Sequence, residues 1–233
     1  MPLPGRTHMT AMSGRRAGAW NTARVAEDWF RSPDGSPDAK ADFEARLRRA
    51  HAGNRAQYTR IKGLALRESG QLDAARSLWS RILEDDLGHG SEQASTIEHL
   101  ADSYVGQDPT TAELYYRRLL AEHPTLNGTT ATAEISLAEL LIDKGDPAST
   151  KEALALLNSF LERGTSQFPS VLFRWHLALI RIAQATGEQE TVRRAARTAL
   201  ELADREPVFP RHKTAGAVDA DNHTLKRLRE LAK

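Results

Sequence analysis

The chain has 233 residues, 40% of them hydrophobic, which suits one domain or one small repeat array and argues against wholesale disorder. It has no cysteine, which excludes disulfides, thiolate nucleophiles and cysteine-ligated zinc and fits a reducing cytoplasm. The net charge of +1 hides a pattern: residues 1–62 carry 12 basic and 6 acidic side chains, residues 63–170 carry 8 and 17, and residues 171–233 carry 12 and 8.

An acidic middle between basic ends lacks the chain-wide basic footprint of a duplex-binding protein, so nucleic acid is disfavoured as a partner. No stretch approaches about 18 uninterrupted apolar residues, so no membrane span is predicted. Arginine outnumbers lysine 25 to 7, which reads as the coding bias of a GC-rich bacterium rather than a binding signal.

In chain order, residues 1–20 have basic side chains but no apolar run behind them and read as a disordered tail rather than a secretory signal, with Met9 and Met12 as alternative starts. Deleting this tail is expected to leave stability unchanged. Residues 21–54 read as N-terminal capping helices, Thr22 to Phe30 and then a helix capped by Asp38 and running to about His51, with a Pro/Gly/Ser loop over 32–37 between them. From Arg55 to residue 206 the chain repeats itself as four predicted helical hairpins: Arg55–Ser69 with Leu72–Leu83, Ser91–Val105 with Thr110–Glu122, Thr129–Lys144 with Thr150–Arg163, and Ser170–Thr186 with Glu188–Arg205. Apolar residues recur at helical spacing, as in Ala94, Ile97, Leu100, Ala101 and Tyr104, while Gly70, Pro124, Gly145 and Gly187 punctuate the segments. Residues 207–233 read as a loop and a last helix capped by Asp221.

Within these hairpins a small residue on the first helix faces a small residue on the second, and a large residue follows four positions later. The sets are Gly63, Ala75 and Trp79; Ala101, Ala112 and Tyr116; Ala138, Ala153 and Leu157; and, more weakly, Ile180, Val192 and Ala196. Small residues let two helices approach closely, and the large one can fill the wedge toward the next hairpin. This arrangement resembles the tetratricopeptide repeat family. The resemblance implies an all-α fold: a right-handed superhelical solenoid of antiparallel helix pairs with flanking capping helices. The spacings 37, 41 and 39 between Trp79, Tyr116, Leu157 and Ala196 exceed the family period of about 34, so longer turns or helices are expected, and HEAT-like repeats are an alternative.

Chemistry-bearing motifs are missing: no G-x-S-x-G elbow, phosphate loop, dinucleotide fingerprint or H-E-x-x-H zinc helix is present. The chain is therefore read as a non-enzyme with no cofactor and no metal. His176, in an apolar helix, reads as a core or interface histidine with one hydrogen bond, and His99 and His123 as surface residues. The resemblance implies that the first helix of each hairpin lines a concave partner-binding groove. Carried over by register, its residues are Arg60, Leu64 and Arg67; Glu98 and Asp102; Ile135, Glu139, Ile142 and Asp143; and Arg174 and Arg181. Glu98 with Asp102 and Glu139 with Asp143 are like-charged at i,i+4, which costs a helix a few tenths of a kcal/mol each. Either these acids form a solvated face, or they await a basic segment of a partner. The function expected is a cytoplasmic interaction scaffold or adaptor gripping a protein or peptide. The alternative is a regulatory subunit or transcription-linked sensor binding peptide or nucleic acid through its basic ends.

Overall fold

The computed structural model describes residues 28–164, 168–206, 212 and 214–233, and among them every regular element is helical. A 3-10 turn, Trp29–Arg31, precedes ten α-helices: α1 Pro37–Arg49, α2 Ala52–Glu68, α3 Leu72–Glu84, α4 Ser91–Tyr104, α5 Pro109–Glu122, α6 Ala133–Lys144, α7 Pro147–Arg163, α8 Pro169–Thr186, α9 Gln189–Ala203 and α10 Asn222–Leu231. Of the helix expected over 22–30, only this 3-10 turn falls within the described residues, and the tail 1–20 lies outside them.

Local chemistry explains most boundaries. Proline at the first helical position has a preset φ and no N–H to orphan, and it follows a side-chain cap in three helices. Ser36 accepts from Ala39 N before Pro37, Asp108 from Thr111 N before Pro109, and Asp146 from Ser149 N before Pro147. Two expectations are corrected by this motif. The cap of α1 is Ser36, which leaves Asp38 in the first turn, and α7 starts at Pro147 rather than Thr150. Gly145 and Gly187 end α6 and α8 at φ 73° and 79°, left-handed values that suit glycine. Asp221 caps α10 through Thr224 N, as its sequence context predicts.

Consecutive helices pack most closely, α2 with α3, α4 with α5, α6 with α7 and α8 with α9. Further contacts join α3 to α4, α5 to α6, α7 to α8 and α9 to α10, while α2 touches α4 and α6 touches α8. Inside the first pair, a Cβ added at Gly63 would lie 2.2 Å from Trp79 Nε1, so only glycine lets the indole in. The indole is fully buried, donates to Arg60 O at 3.2 Å and lies 5.4 Å, centroid to centroid, from the His99 ring of α4. It thus bridges the first pair and the second. Ala101, Ala112 and Tyr116, then Ala138, Ala153 and Leu157, then Ile180, Val192 and Ala196 are likewise buried.

One connection departs from the sequence expectation. Residues 123–132 form a loop, so α6 begins at Ala133 instead of Thr129, and this loop accounts for the long spacing between Tyr116 and Leu157. Its backbone turns through positive φ at Leu126 (52°), Gly128 (83°) and Ala131 (60°). It is held by the buried Leu126 side chain and by hydrogen bonds from α4, described below.

At the N-terminal end, Trp29, Phe30, Phe43 and Tyr58 form an aromatic cluster, with Phe30 stacked on Tyr58 at 4.5 Å. Residues 32–34 are then strapped to α2. The buried Lys62 donates to Ser32 O at 2.6 Å and Asp34 O at 2.8 Å, and Gln71 Nε2 donates to Pro33 O at 2.8 Å.

Candidate binding face

The first helices of the pairs, α2, α4, α6 and α8, carry all eleven residues that the sequence marks as partner-facing. The structure divides them. Ile135 is 0% exposed and Glu98 only 3%, so both are interior, a correction to their expected place in an open groove. Leu64 and Ile142 are half-buried and pack against the core, while Asp102, Asp143 and Arg181 are exposed.

The four carboxylates expected to form an acidic centre each have a partner within the chain. Glu98 accepts from Thr130 N at 2.9 and 3.1 Å and from Thr130 Oγ1 at 2.6 Å, which anchors the 123–132 loop. Burial pushes its pKa up, and the Thr130 hydrogen bonds partly oppose that rise. Asp102 accepts from the buried Tyr116 hydroxyl at 2.5 Å, and burial and this carboxylate together hold the phenol far above its usual range. Glu139 takes a two-pronged pair from Arg174, with Nε to Oε1 at 2.7 Å and Nη2 to Oε2, and Arg174 Nη2 also donates to Ser136 Oγ at 3.0 Å. Asp143 pairs with Arg181 at 2.5 Å. The like-charge repulsion read along α6 is thus relieved by two arginines from α8.

The cationic residues of α2 are arranged differently. Arg60 Nε binds Glu92 Oε2 of α4 at 2.7 Å, and its Nη1 lies 3.4 Å from His99 Nε2. Arg67 is half-buried nearby, close enough to act electrostatically on His99. Burial first, then Arg60 and Arg67, lowers the His99 pKa to about 4, so this residue is a neutral, partly covered histidine against Trp79 rather than a surface one. His123 also departs from the surface expectation, since its Nε2 is buried without a partner. His176 stacks edge-on with Trp175, and burial lowers its pKa to about 4. Its Nδ1 is buried without a hydrogen-bond partner.

Sequence reasoning missed Glu92, Ser136 and the second row of pairs, in which Arg117 of α5 holds Glu152 of α7 at 2.5 Å and Lys144 of α6 holds Glu113 of α5 at 2.6 Å. A signal was available. Arg60 and Glu92, Arg117 and Glu152, Glu139 and Arg174, and Asp143 and Arg181 are opposite charges separated by 32, 35, 35 and 38 residues, a recurring spacing.

Among the described residues, no group of three or more His, Cys, Asp or Glu side chains could hold a metal ion, and no helix is long and apolar enough to cross a membrane. No family model, curated protein or solved structure matches the chain. The described part of this face carries the half-buried Leu64 and Ile142 between internally paired ions.

Proposed function

We propose that the chain is a tetratricopeptide-like solenoid of four helix pairs, and that it acts as a scaffold holding a protein or peptide against the face built from α2, α4, α6 and α8. One observation carries the reading: ion pairs between these helices recur at near-repeat spacing, as in Arg60–Glu92 and Glu139–Arg174, while small and large residues pack inside each pair. Such an array buries the surface each pair leaves uncovered and presents one continuous face. Because Glu139 and Asp143 already hold arginines, a basic segment would have to displace Arg174 and Arg181. The reading accordingly favours a partner recognised by apolar contacts at Leu64 and Ile142 within a polar frame, with small net charge transfer. A cytoplasmic setting belongs to the same proposal.

The test places a photo-crosslinking residue singly at Leu64, Asp102 and Ile142, and for comparison at the exposed Leu114 of α5 and Leu161 of α7. A discrete adduct in the native host from the first set alone supports the reading. Adducts arising equally or only from Leu114 and Leu161 would move the interface to the second helices.

A further inference from the structure

A cleft of about 370 Å³ lies between α1, α2 and α3, away from the face described above. Phe43, Leu66 and Leu78 supply its apolar wall. Its charged lining is Lys40, Lys62 and Arg81 against a single carboxylate, Glu44. Glu44 holds Arg81 Nη1 at 2.7 Å, but Arg81 Nη2 is buried with no hydrogen-bond acceptor. Lys62 uses two of the three N–H donors of an ammonium on the carbonyls of Ser32 and Asp34. The carboxylate that acts on Lys62 is Asp34, which accepts from the Ser36 N–H at 2.8 Å.

We propose that this cleft binds a small amphipathic carboxylate, a single anionic head on an apolar body, with the head at Arg81 and Lys62 and the body along Phe43, Leu66 and Leu78. The volume falls in the range of small-molecule sites, about 300–1,000 Å³. A neutral apolar ligand would leave the Arg81 donor unpaired, and a buried donor without an acceptor is costly. A compact inorganic anion would leave the apolar wall against water. A carboxylate matches the planar guanidinium edge and adds acceptors for the spare donors. The proposal is independent of the α2, α4, α6, α8 face.

The test titrates the full chain with octanoate, octanol and inorganic phosphate while following the methyl resonances of Leu66 and Leu78. Octanoate is expected to shift both saturably, with octanol and phosphate at least about tenfold weaker. Arg81→Met should weaken octanoate at least about tenfold and leave octanol unchanged. Ala74→Phe, which fills the cleft, should abolish both. Equal affinity for octanol would overturn the role of the cations, and equal affinity for phosphate that of the apolar wall. Octanoate shifts confined to other methyls, or none at all, would sink the proposal. If Arg81→Met loses its circular dichroism, the comparison of the three ligands on the native chain still decides.

Discussion

Trp79 fills the space that Gly63 leaves open, and each residue constrains what the other can become. Trp79→Ala should cost about 3–5 kcal/mol, the range for removing a large buried aromatic. Gly63→Ala should cost about 1–3 kcal/mol by forcing the indole off its Arg60 hydrogen bond. Urea denaturation measures both, and an unchanged midpoint for either would show that the indole is not wedged. Two half-buried histidines set a second expectation. His99 and His176 have folded pKa values near 4 and an ordinary value of 6.5. Between those values the unfolded chain binds protons that the native state refuses, so stability falls as pH falls from about 6.5 to 4. Glu98 acts with the opposite sign, since its raised pKa favours the folded state at low pH. The carboxylates with lowered pKa values act below about 4.5 and leave most of this window to the histidines. The melting temperature should therefore drop between pH 6.5 and 4.5, and His99→Asn should flatten that drop. An identical slope in the variant would remove His99 from the explanation.

At the scale of the elements, ion pairs matter in proportion to their burial. Arg163 at the end of α7 grips Glu134 at the start of α6 through two hydrogen bonds of 2.7 and 2.8 Å, and also donates to Ala131 O. Those side chains are only 16% and 6% exposed, whereas Arg181 and Asp143 are 41% and 65% exposed. Glu134→Ala removes both carboxylate hydrogen bonds from a covered guanidinium and should cost about 3–5 kcal/mol. Asp143→Asn breaks a solvated pair and should cost about 1 kcal/mol or less. Comparable losses in denaturation midpoint would show that burial does not rank these pairs. The starts at Pro37 and Pro147 were misplaced in the sequence reading, although Ser36-Pro37 and Asp146-Pro147 are local signals acting within one turn. The start of α6 was not legible, because the 123–132 loop is held by Glu98 and Ser95 from α4, more than 30 residues away.

Across the whole molecule, three buried clusters follow one another along the chain, and Leu228 of α10 closes the last of them with Val192, Ala196 and Leu202 of α9. On the solenoid reading, each pair depends on its neighbours and the terminal elements keep the end faces from water. Removing residues 222–233 should lower the melting temperature and raise light scattering, because the α8–α9 surface under Leu228 becomes exposed. An unchanged melt would show that α10 is an appendage rather than a cap. The sequence by itself determined the helical class, most helix limits and the small-to-large packing of Gly63 with Trp79, since periodicity, capping and helix approach are written within a few residues. Only the tertiary structure decided which charges were free. Arg174 and Arg181 reach Glu139 and Asp143 because α8 packs on α6, and Glu98 turns inward because Thr130 offers it two donors. A carboxylate on a helix face reads as solvated until the neighbour that covers it is known. That neighbour lies more than 30 residues along the chain, beyond the reach of any local pattern.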